Sequence, residues 1–97
     1  MTFRLAAAAL ALMSGAAMAQ NIGIAACDAL YRSLEVCAAT RVPEGERAAF
    51  RRDVEQGRAH IRQRSANPQA RPQLEQMCLE QQGQMHQVLS AYGCRFN

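Results

Sequence analysis

Cys27-Asp28-Ala29-Leu30-Tyr31-Arg32-Ser33-Leu34-Glu35-Val36-Cys37 carries apolar or small residues at 27, 30, 34 and 37. Steps of three, four and three gather on one face of a helix, which this spacing predicts over Ala25 to Ala39. Both cysteines therefore face the same partner. A rise of about 1.5 Å per residue sets them about 15 Å apart, too far to bridge each other. Asp28 stands in the first turn, where a carboxylate suits the helix dipole. The stretch from Thr40 to Pro43 ends the helix, because the proline pushes Val42 out of the α region.

Downstream, a second helix is expected from Pro43 or Glu44 to about Arg64. Proline is at home in a first helical position, and Glu44 and Glu46 fall in the opening turn. Its stripe is Phe50, Val54, Gly57 and Ile61, with Arg47, Arg51, Arg52, Asp53, Glu55, Arg58 and Arg62 on the remaining surface. Gly57 lowers helix propensity by about 1 kcal/mol against Ala, so its expected use is the close approach of another helix. Ser65-Ala66-Asn67-Pro68 reads as a turn. A third helix then runs from near Arg71, with the stripe Leu74, Met77, Cys78, Met85, Val88, Leu89 and Tyr92, and Gly93 ends it in the left-handed conformation. No repeat and no period-two alternation interrupts this reading. The expected fold is all-α, a small up-down-up bundle of three helices whose first and third members are parallel neighbours.

All four cysteines fall on or beside these stripes, and two connectivities are compatible with helical rise. Parallel outer helices pair Cys27 with Cys78 and Cys37 with Cys94; antiparallel ones pair Cys27 with Cys94 and Cys37 with Cys78. The short link after the first helix turns the middle one back, which favours the first pattern. Each bridge closes a loop worth up to about 4 kcal/mol in the chain-entropy model, the second adding less. Against a total stability of about 5 kcal/mol for so small a core, reduction should unfold the protein. The chain has no C-x-x-C pair, and its spacings are foreign to a zinc knuckle.

Upstream of the first helix, Met1 to Arg4 is a short basic start, Leu5 to Met13 an apolar run and Ala17-Met18-Ala19 a small-x-small site. Residues 1–19 read as a secretory signal peptide cleaved after Ala19, and residues 20–97 as one helical domain, periplasmic or secreted. Of the 97 residues, 49% are hydrophobic, a figure that the leader's alanines inflate. Without Arg4 the formal charge of +3 falls by one. The apolar run is too short for a permanent membrane span, and no second run follows. Ile24-Ala25-Ala26-Cys27 also resembles a lipobox, but Gln20 and Asn21 break the apolar region before it. Lipidation of Cys27 would also leave an odd number of cysteines in an oxidising compartment.

The leader, the helix from Cys27 to Cys37, the charged middle helix and Leu74-Glu75-Gln76-Met77-Cys78 leading into a third helix resemble small exported bacterial cysteine-stapled helical proteins of unassigned function. The resemblance implies a periplasmic three-helix fold and carries no catalytic residue. The spacing of Cys27 and Cys37 is also similar to that in the twin-cysteine helical hairpins of the mitochondrial intermembrane space. The match departs at Cys78 and Cys94, which are too widely spaced and lie beyond a whole intervening helix.

Few residues offer chemistry. His60 and His86 lie on different helices with no nucleophile at a recognisable spacing, so no catalytic residue is assigned and no cofactor is expected. Met77, Met85 and His86 raise a copper-handling alternative, since thioether and imidazole suit Cu(I), although two methionines on a stripe serve equally as core filler. Arg58, Arg62 and Arg64, with His60 among them and no acid, form a candidate face for an anionic lipid or cell-wall component or for an acidic envelope protein. Nucleic acid is not expected, because export separates the chain from the genome and no aromatic residues interleave with the arginines. The glutamines of the third helix need no explanation beyond solubility. The expectation is a non-enzymatic binding protein, chaperone-like in one version and similar in size and helical character to the acid-stress chaperones of enteric periplasms. An inhibitor or regulatory partner docking through the arginine face is the alternative.

Overall fold

A computed structural model of the chain describes residues 21–96, so the leader and its cleavage site lie outside the described residues. Among the described residues three α-helices make the fold: α1 (Ala25–Thr40), α2 (Glu44–Ser65) and α3 (Arg71–Val88). Short 3-10 turns at Pro68–Ala70 and Ser90–Tyr92 flank α3, and there is no strand among the described residues. The bundle runs up, down and up. Cys27 is bonded to Cys78 and Cys37 to Cys94, with Cα separations of 5.1 and 5.4 Å, so α1 and α3 lie parallel. Cys27 is enclosed and spent in its bridge, which removes the thiol that the lipobox reading needs.

Each helix starts and stops for local reasons. Asp28 accepts hydrogen bonds from the Ile22 and Gly23 amides at 2.8 and 3.2 Å, folding the segment before α1 back over its first turn. Ile22 and Ile24 are thereby buried, and Gly23 takes the positive φ of 89° that the reversal requires. Asn67 accepts from the Gln69 amide at 3.1 Å, opening the turn before α3. Arg71 donates to the Gly23 carbonyl at 2.6 Å and to the Ser65 carbonyl at 3.4 Å, tying the start of α1 to the end of α2.

The α-helical part of α3 stops at Val88, four residues before the expected end at Tyr92. Cys27 and Cys37 span about 15 Å of helix, and the ten residues after Cys78 already match that rise. The remaining residues up to Cys94 have to turn instead of climb. The Ser90–Tyr92 turn and Gly93, left-handed at φ 81°, bring Cys94 back to Cys37. The early stop also leaves Val88 69% exposed instead of on the core stripe.

The core joins Leu30, Leu34, Val42, Val54, Ile61, Leu74, Leu89 and Phe96 to the four half-cystines. Most interhelical packing is between α1 and α3, less between α1 and α2, and least between α2 and α3. Gly57 admits the Tyr31 ring, as a Cβ there would lie 2.9 Å from the phenolic oxygen. Gly83, by contrast, faces open space in α3. Gly83→Ala should therefore raise stability by about 0.5–1 kcal/mol in urea denaturation. Gly57→Ala should lower it despite the same gain in propensity, and adding Tyr31→Phe should restore the loss.

Candidate functional site

Arg58 departs from the sequence reading. Expected on an exposed basic face, it is 3% exposed, because residues 54, 58, 61 and 65 form the true inward stripe of α2. Gly57 leaves room for Tyr31, and the Arg58 guanidinium lies 5.5 Å from the centre of that ring. It donates to Glu55 one turn earlier at 2.5 Å and to Glu35 across the α1–α2 interface. Arg62 and Arg64 are only half-buried. The three arginines therefore do not form one free cationic surface. The signal available in the sequence was the helical register itself, which puts 58 between 54 and 61.

Beside this cluster a small polar notch of about 150 Å³ is lined by Asn21, Asp28, Tyr31, Arg32, Glu35 and Arg58. Within it Arg58 is paired with Glu35, and Asp28 accepts from the Ile22 and Gly23 amides. Burial pushes the Tyr31 phenol above its usual pKa, with the nearby Arg58 charge opposing. The Tyr92 phenol is also raised, by its 3.0 Å hydrogen bond to Glu46.

A second concavity is apolar. Leu30 and Leu34 of α1 form its floor, Phe50, Val54 and Gly57 of α2 one wall, and Met85, Val88 and Leu89 the other. It encloses about 390 Å³, at the lower end of small-ligand sites. Asp53 and Gln81 supply its polar edge. The groove exists because both outer contacts of α1 are close while α2 and α3 meet least. Sequence reading placed Phe50, Met85 and Val88 inside the core; the structure leaves Phe50 and Met85 half-buried and Val88 open.

The residues of the copper alternative are not gathered. Met85 lines the apolar groove, whereas His86 lines a shallow depression with Leu79 and Phe96. Among the described residues no group of three or more His, Cys, Asp or Glu side chains is placed to hold a metal ion. His60 is exposed on α2. In comparisons with known proteins, no family model, no curated protein and no solved structure matches the chain.

Two outcomes follow from the Arg58–Tyr31 cluster. Replacing both Glu35 and Glu55 by Ala strands a buried guanidinium and should cost about 1–3 kcal/mol, discounted because both carboxylates reach solvent. Arg58→Met removes the buried charge and leaves only exposed ones, so it should cost less in the same urea titration. The raised Tyr31 pKa means that the folded chain keeps its proton to higher pH than the unfolded chain. Its contribution is therefore complete below about pH 10 and lost as pH climbs through the folded value. Denaturation midpoints taken at rising alkaline pH should fall less steeply for Tyr31→Phe, with the slope from Tyr92 remaining.

Proposed function

We propose that the protein is an exported, non-enzymatic binding protein that holds an apolar segment of an envelope partner in the groove between α2 and α3. The observation that carries this reading is the groove itself: an open apolar channel with Val88 at its rim, at 69% the most exposed large apolar side chain among the described residues. The chaperone-like version of the function uses the same surface, since an unfolding client offers such segments. Asp53 at the edge favours segments that carry a basic residue beside the apolar ones.

Export rests on the leader at residues 1–19 with cleavage after Ala19, giving a periplasmic or secreted protein. Two disulfides in so small a chain are compatible with an oxidising compartment. No helix among the described residues is long and apolar enough to cross a membrane. Membership among small exported bacterial stapled helical proteins remains part of the same proposal. Docking of an enzyme or an anionic polymer through Arg58, Arg62 and Arg64 loses its support, because Arg58 is committed to Glu35 and Glu55 inside the fold.

Binding of the apolar dye N-phenyl-1-naphthylamine, displaced by a synthetic amphipathic peptide of Leu and Lys, reads out the groove. Val88→Glu leaves the core untouched and should weaken both ligands by about tenfold or more, equivalent to about 1.4 kcal/mol. Affinities unchanged in Val88→Glu and in Met85→Glu would overturn the reading.

A further inference from the structure

The two disulfides differ in their surroundings. Cys27 and Cys78 are each 0% exposed, sealed beneath Leu74 and the start of α1. Cys37 and Cys94, at 2% and 5%, line a surface notch of about 280 Å³ at the opposite end of the bundle. Two arginines, Arg41 and Arg95, share that notch, and no carboxylate among the described residues lines it. The Arg41 guanidinium lies 3.8 Å from where a Cβ on Gly93 would stand, so it rests over the backbone immediately before Cys94. Arg95 follows Cys94 directly in the chain. Both arginines are exposed at this edge and neither is in a salt bridge among the described residues.

From this arrangement we infer that Cys37–Cys94 is a thiol-exchange site for a small anionic thiol, a carboxylate-bearing thiol peptide such as glutathione. The guanidinium pair raises the local concentration of the incoming anionic thiolate. The incoming sulfur attacks one sulfur of the pair and forms a mixed disulfide. The Cys37–Cys94 bond breaks, its electron pair staying on the other cysteine, which takes up the proton that the first thiol released. A second thiol molecule attacks the mixed disulfide, releasing the oxidised thiol dimer and leaving both cysteines reduced, a two-electron change in all. Cys27–Cys78 is untouched and still binds α1 to α3. The segment from Leu89 to Phe96 is freed from α1, and with it the Leu89 wall of the apolar groove. The exchange chemistry does not depend on what that groove binds.

The test incubates the oxidised protein with reduced glutathione near neutral pH and low ionic strength, traps samples by acid and alkylation, and locates modified cysteines by peptide mass. Cys37 and Cys94 should react at least about tenfold faster than Cys27 and Cys78, with the mixed disulfide at one of the first two. The double variant Arg41→Gln, Arg95→Gln should slow the glutathione step about fivefold while leaving the rate with cysteamine, whose amine cancels the thiolate charge, nearly unchanged. Added salt should shrink the difference. Appearance of all four cysteines at one rate would overturn the inference, as would an equal loss with both thiols in the double variant.

Discussion

Two covalent ties from α1, one to α3 and one to the segment that follows it, at opposite ends of the bundle, are the constraint on which the rest of this structure depends. One bridge would set a distance and leave the angle between α1 and α3 free; two set the angle and the register as well. The Cys27–Cys78 and Cys37–Cys94 bonds hold the helices parallel, so the intervening α2 has to run back against them. They also dictate the shape of the C-terminal segment. Because α1 offers only ten residues of rise between its cysteines, α3 must stop at Val88 and the chain must fold round through Gly93.

With α1 and α3 joined covalently, α2 is the member that depends on side-chain contacts alone. Its large apolar residues are few, and its inner stripe includes an arginine. Tyr31 and Arg58 answer that shortage together. The ring fills the gap left by Gly57, and the guanidinium packs by the ring while its charge is met by Glu35 and Glu55. Such a pair adds little net stability once desolvation is counted, but it penalises any register in which the guanidinium would be buried without its carboxylates. Orientation of α2, more than strength of attachment, is what this cluster supplies.

The same division of labour leaves open surface where α2 and α3 part. The apolar groove and the arginine-flanked notch lie at the end of the bundle that contains Leu89 and Cys94, so one short segment forms a wall of the first and a floor of the second. Tyr92, bonded to Glu46, ties that segment to the start of α2 as well. A ligand in the groove and a thiol at the notch would thus act on the same few residues, one by packing against them and the other by releasing their covalent tie.

The sequence by itself determined the three helices, their short links and the inward position of all four cysteines, because periodicity, capping and proline placement are local properties that the chain carries everywhere with it. Rise per residue and the brevity of the link after Thr40 also favoured the parallel pairing over its rival. Gly57 was legible as a point of close approach, since a glycine on a helical stripe has few other uses. The register of α2 also offered Arg58 to the inside, between Val54 and Ile61. Only the tertiary structure decided that Val88 lies outside and that α2 and α3 leave a groove between them. Those outcomes depend on which helix pair is drawn together most closely and on the length mismatch between the two cysteine spacings. Both are relations between segments far apart in the chain, and no local pattern encodes them.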